Sequence, residues 1–98
     1  MKVVLNVIRG EGQVFVNICE KEYLGKKFIE NKVILHVNEE FYGGEEVDVN
    51  HALNLVEEAT VASIVGGKVI EEAIRRGLIH KDSVLTISGV KFAQVYNL

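Results

Sequence analysis

Residues 60–78 read TVASIVGGKVIEEAIRRGL, and the way this stretch folds decides the class of the whole chain. Val61, Ile64, Val65, Val69, Ala73 and Ile74 recur at three- and four-residue intervals with Glu71, Glu72, Arg75 and Arg76 between them. That period predicts an amphipathic helix with Thr60 as its cap. Arg75 and Arg76 suit the negative end of the helix dipole, and Gly77 followed by Leu78 reads as a C-terminal cap, so the helix ends at Gly77. Gly66 and Gly67 fall inside the pattern. They either let a neighbouring element pack closely or break the helix, with Gly67 opening a new one.

Upstream, Val49, Ala52, Leu53, Val56 and Thr60 have helical spacing behind Asp48, a good N-cap, which predicts a first helix to about Ala59. Lys2–Ile8 and Gln13–Cys19 are β-prone runs around Arg9-Gly10-Glu11-Gly12 and read as a hairpin. Glu20–Asn31 is charged and reads as a loop offering Leu24 and Phe28 to the core, and Lys32–Val37 is a third strand. Phe41-Tyr42-Gly43-Gly44 reads as a tight loop pinned by its aromatic rings. Downstream, Ser83–Ile87 and Val90–Tyr96 are strands joined by a two-residue turn at Ser88-Gly89. The order β-β-β-α-α-β-β predicts an α+β fold, a mostly antiparallel sheet of about five strands with two helices packed on one face.

A chain of 98 residues without a linker-like stretch is expected to form a single α+β domain over residues 1–98. Its 48% hydrophobic and 26% charged residues exclude a disordered or fibrous class. A net charge of −3 disfavours non-specific nucleic-acid binding, which draws on a basic excess. Seven acids and no Lys or Arg lie between Glu39 and Glu58, whereas five basic residues face three acids from Gly66 onward, so a local basic side is expected in the C-terminal half. Cys19 is the only cysteine, which excludes an intramolecular disulfide. With no signal-like or membrane-spanning apolar run, a cytoplasmic protein without membrane contact is expected.

Motifs that carry chemistry are weak. Gly66-Gly67-Lys68 resembles part of a phosphate loop, but Ala62 stands where that pattern needs Gly and Val69 where it needs Ser or Thr. A ligand site for an anion at a helix start would use Ser63, Gly66, Gly67 and Lys68. His36, His51 and His80 fall in three different elements with no metal-ligand spacing, and Glu39-Glu40 and Glu45-Glu46 lack the alternation of a calcium loop. No cofactor, no metal site and no catalytic residue is expected. Phe41, Tyr42, Gly43 and Gly44, ringed by charge, form one candidate partner-binding surface, because aromatic anchors dominate interfaces. Lys68, Arg75, Arg76 and Lys91 form the other. An open sheet also leaves edges that a second copy could cover.

Leu24-Gly25-Lys26, Phe41-Tyr42-Gly43-Gly44-Glu45, Glu58-Ala59-Thr60-Val61-Ala62 through Val65-Gly66, and Gly89–Val95 occur in an order that resembles the archaeal family catalogued as domain of unknown function 424. The resemblance implies an archaeal cytosolic protein with a compact α/β fold and no assigned activity. In that family an Asn is common at the position of Ser63 and a His at that of Phe92, so the departure at Phe92 weakens any histidine-based enzyme reading. The resemblance further implies an accessory role in the translation apparatus, with a protein or ribonucleoprotein partner. Together these readings favour a non-catalytic binding module over a small enzyme or ligand-binding domain with an anion site at Gly66–Lys68.

Overall fold

Val61–Val65, inside the segment with the helical period, is a strand at the middle of the main sheet. A computed structural model describes residues 1–97. Its strands are β1 (Lys2–Gly10), β2 (Gln13–Cys19), β3 (Lys27–Glu30), β4 (Val33–His36), β5 (Glu45–Asp48), β6 (Val61–Val65), β7 (Leu85–Ile87) and β8 (Val90–Tyr96). The helices are α1 (Glu39–Tyr42), α2 (Val49–Asn54) and α3 (Gly67–Arg75). Six strands form a mixed sheet in the order β5-β1-β2-β6-β8-β7, and β3 and β4 form a separate two-stranded ribbon. Every pair in the main sheet is antiparallel except β2 and β6, which run parallel from Phe15 opposite Val61 to Cys19 opposite Val65.

The expected helix over Thr60–Gly77 is therefore a strand and a shorter helix, and the described residues form an α+β fold with eight strands in two sheets. The physical reason is burial on both faces of β6. Ala62 and Ile64 pack toward α2 and α3, while Val65 packs into a second cluster on the opposite face. A strand covered on both sides loses its alternation and reads as an apolar run, which a helical template also matches. Gly66 is where the two conformations meet. Its φ of +125° lies outside the range L-residues favour, and a methyl group there would overlap the Glu20 carboxylate.

Other expectations also shift. The first helix stops at Asn54, and Val56–Glu58 is a 3₁₀ turn. Asp48 does cap α2, its side chain accepting from Asn50 N–H at 3.0 Å. Glu20–Asn31 contains a 3₁₀ turn at Lys21–Tyr23 and the strand β3 rather than only a loop. Phe41–Gly44 is pinned by its rings as expected but is part helix rather than wholly a tight loop: Phe41 and Tyr42 end the one-turn helix α1, whose N-cap Asn38 accepts from Phe41 N–H at 2.8 Å. α3 closes as expected after Arg76, with Gly77 N–H bonded to the Ile74 carbonyl and Leu78 N–H to that of Ala73, both at 2.9 Å.

The larger core lies between α2, α3 and the sheet residues Val3, Leu5, Val16, Ile18, Ala62, Ile64 and Ala93. Fully burying a side chain such as Ile18 or Ile64 stabilises by ~1.5–3 kcal/mol. The smaller core gathers Val4, Cys19, Val65 and Val90 on the other face beneath Leu35, Val37 and Tyr42, with Leu24 and Phe28 packed against it. Thus α2 and α3 share one face as expected, whereas α1 and the ribbon cover only part of the other. No helix among the described residues is long and apolar enough to cross a membrane.

Candidate functional site

The start of α3, where the anion site was expected, is filled from within. Glu20 follows directly on β2, is 5% exposed, and its Oε2 accepts from Val69 N–H at 2.9 Å. A carboxylate at this position satisfies one of the amide donors that a helix start leaves free and meets the positive end of its dipole. Gly66 and Gly67 form the turn into the helix, and Lys68 is exposed. Ser63 does not join them. Strand alternation turns it to the opposite face of the sheet, where its Oγ accepts from Gln94 Nε2 at 3.2 Å. The four residues expected to form one ligand site are thus divided between two faces.

The basic side is likewise broken up. Arg75 is ion-paired with Glu72, its Nε at 3.1 Å from Glu72 Oε2. The pair holds the Glu72 carboxyl below its usual range, through the hydrogen bond first and charge second. Arg76 reaches across to α2 and donates to Asn54 Oδ1 at 2.6 Å. Lys91 belongs to a shallow groove between α3 and the β7–β8 hairpin, lined also by Ile70, Glu71, Ile74, Lys81 and Thr86.

Phe41–Gly44 serves as an internal brace. Tyr42 is 4% exposed, its ring meets that of Phe41 edge-on at 5.3 Å, and Asn6 Nδ2 donates to the Phe41 carbonyl at 2.7 Å. Gly44 lets the chain enter β5 against β1, since a Cβ there would overlap the Leu5 carbonyl. Burial pushes the Tyr42 hydroxyl up to about 12, with the Ser63 side chain opposing the shift. Burial and then the neighbouring Glu20 charge push the Cys19 thiol up to about 11. A thiol that stays protonated at neutral pH is a poor nucleophile. His36, His51 and His80 are exposed on separate elements, and no cluster of three or more metal-ligating side chains occurs among the described residues.

Two features escaped the sequence reading. The first is a polar row across four adjacent strands, Asn6, Asn17, Ser63 and Gln94, each opposite the next in register and on the same face. Asn17 is 1% exposed, and neither its Nδ2 nor its Oδ1 has a partner among the described residues. The signal was present, since Asn17 interrupts Phe15 and Cys19 on the face opposite Val14, Val16 and Ile18.

The second feature is the ribbon. Ile29 and Ile34 face each other across β3 and β4 and are 58% and 61% exposed, with Val33 and Leu85 exposed nearby. Lys26, Lys27 and Lys32 surround them, and no carboxylate among the described residues lies within ion-pair distance of these lysines. The one acid of the ribbon, Glu30, turns its Oε1 to the Ser88 N–H at 2.6 Å. In a chain of net charge −3 this corner is basic and apolar. Its β3 half lay in the stretch expected to be a charged loop, while its β4 half falls within the expected third strand, Lys32–Val37, which pairs with β3 instead of joining the main sheet.

A solved structure described as an uncharacterized conserved protein from Methanopyrus kandleri has a similar fold, with a TM-score of 0.79 and 23% identity over 100% of this chain and 93% of that one. No curated protein matches the sequence. The family described as "Protein of unknown function (DUF424)" matches residues 8–98, nearly the whole chain, and the protein therefore belongs to that family.

Proposed function

We propose that the protein is a non-catalytic binding module that acts in the cytoplasm as an accessory to the translation apparatus and meets a protein or ribonucleoprotein partner. The observation that carries this reading is the ribbon: Ile29 and Ile34 are more than half exposed on its outer face, and Val33 and the β7 residue Leu85 are exposed on its other side. Lys26, Lys27 and Lys32 have no ion-pair partner among the described residues. An exposed apolar pair with a basic rim favours a macromolecular interface over a solvated surface. The exposed Lys68 and Lys91 add basic character on another side, while Arg75 and Arg76 are engaged within the chain. The buried, protonated thiol and the dispersed histidines support a non-catalytic role. The anion-site alternative is less favoured, because Glu20 already occupies the α3 donor that a ligand would use.

Sucrose-gradient sedimentation of the tagged protein in lysate of its source cells tests this reading. Co-migration with a ribosomal subunit at moderate salt, lost in an Ile29→Asp/Ile34→Asp variant that stays folded, is the expected result. Migration of the wild type only in the free fractions would overturn the translation assignment.

A further inference from the structure

The ribbon has one covered edge and one open edge. Its two-residue turn, Asn31-Lys32, has positive φ at both positions, and the pair that flanks it, Glu30 and Val33, closes the ladder. Hydrogen-bonded and non-bonded pairs alternate in an antiparallel ladder, so Ile29, Ile34, Lys27 and His36 turn their backbone N–H and C=O groups outward. On β3 that side is engaged, because Ser88 Oγ donates to the Ile29 carbonyl at 2.6 Å. On β4 the outward groups of Ile34 and His36 have no partner among the described residues, and β4 pairs with β3 alone. Proteins usually blunt such an edge with charged residues or Pro. β4 reads Val33-Ile34-Leu35-His36, and its only concession is its shortness.

We propose that the outer edge of β4 is a strand-addition site for an extended segment of a partner protein that carries apolar and acidic residues at alternate positions of one face, the face that Ile34, Ile29 and Lys27 share. This rests on the binding-module reading above and specifies its partner. The main-chain groups of Ile34 and His36 would pair with the incoming strand, and its apolar side chains would cover Ile29 and Ile34. Lys27 and Lys32 select carboxylates over other charges on the incoming strand. Main-chain pairing supplies affinity in this mode and alternate side chains supply specificity. A protein segment is favoured over RNA because the exposed centre, Ile29 and Ile34, is aliphatic and only the small His36 imidazole stands beside it among the described residues, whereas single-strand binding draws on a row of stacking rings.

The probe is a fluorescein-labelled heptapeptide Thr-Val-Thr-Val-Thr-Glu-Thr, which puts Val and Glu on one face of a strand, titrated into the full chain and followed by anisotropy. Micromolar binding is expected, weakened about tenfold or more when the central peptide residue is Pro, and similarly by Lys27→Glu/Lys32→Glu. Ile34→Pro removes an outward N–H without touching the ladder, and Ile34→Thr keeps strand propensity while removing apolar area. Loss of binding in the first and partial loss in the second is expected, with the fold of each confirmed by circular dichroism. Equal binding of the Pro-containing peptide would overturn strand addition, as would tighter binding of a uridine oligonucleotide. Dimerisation of the free chain that Ile34→Pro abolishes would also overturn it, making a second copy the occupant. If the peptide fails while gradient co-migration persists and is lost in Ile29→Asp/Ile34→Asp, the strand-addition mode falls and the binding-module reading stands. If both fail, both fall.

Discussion

Removing the Glu20 carboxylate should loosen α3 from the sheet, and the cost can be worked from its contacts. In Glu20→Ala the buried Val69 N–H loses its acceptor, a loss of ~1–3 kcal/mol for a group sealed from water. The charge at the helix start contributes a further ~0.3–2 kcal/mol, offset in part because a buried carboxylate no longer has to shed its hydration. The sum is a destabilisation of about 2–3 kcal/mol. Glu20→Gln keeps an oxygen acceptor and loses only the charge, so it should cost about 1 kcal/mol or less. With a urea m-value of ~1.5 kcal/mol/M for a domain this small, the unfolding midpoint should fall by roughly 1.5–2 M in the Ala variant and by under ~0.7 M in the Gln variant. Equal shifts in the two variants would refute the hydrogen-bond argument and assign the effect to charge. A shift below about 0.3 M in Glu20→Ala would show that Glu20 does not hold the start of α3.

Asn17→Val replaces a buried amide without partners by an apolar side chain of similar size, and it should raise stability by about 1–2 kcal/mol in the same assay; a loss of more than ~1 kcal/mol would show that the amide is satisfied in solution. Gly66→Ala forces an L-residue into φ +125° and drives its methyl into Glu20, so a destabilisation of at least ~2 kcal/mol is expected from calorimetry, and an unchanged Tm would refute the close contact. The Cys19 thiol titrates at about 11 in the folded chain against an ordinary 9.0. The folded state therefore holds its proton longer, and this contribution is complete below pH 9 and lost as pH rises toward 11. Urea midpoints between pH 8 and 11 should fall less steeply in Cys19→Ala than in the wild type, Tyr42 accounting for a remaining alkaline slope, and identical slopes would contradict the burial of the thiol.

Legibility varied with how local the determining physics was. The hairpin turn at Ser88-Gly89 was readable because both residues must adopt positive φ in a two-residue connection, as both do. The end of α3 at Gly77 and the cap at Asp48 were readable for the same reason, each resting on hydrogen bonds within a few residues. β3 and β5 were not, because Lys27–Glu30 and Glu45–Asp48 are short edge segments dominated by charge, which sheet pairing accepts when the side chains reach solvent. Of the candidate site residues, the aromatic pair was legible as a packing element, but its interior role depends on Asn6, more than thirty residues away. Of the ribbon, β4 was legible as the strand expected at Lys32–Val37, whereas β3 was masked by Lys26 and Lys27, which read as loop composition until Phe28 is seen turned inward and Ile29 outward.

The sequence by itself determined the α+β class, the caps at Asp48 and Gly77, the β1–β2 and β7–β8 hairpins, the amphipathic character of α2 and α3, and the absence of a disulfide, since each depends on neighbours in the chain or on composition. The cap expected at Thr60 is not one, because α3 starts at Gly67 behind Gly66 and the Thr60 hydroxyl accepts from Val14 N–H instead. Only the tertiary structure decided that residues 61–65 form a strand parallel to β2, that Ser63 faces away from Gly66, and that Glu20 fills the start of α3. For Val61–Val65 the helical and strand patterns coincide. The choice is made by burial on two faces at once, beneath α2 and α3 on one side and against the smaller core on the other.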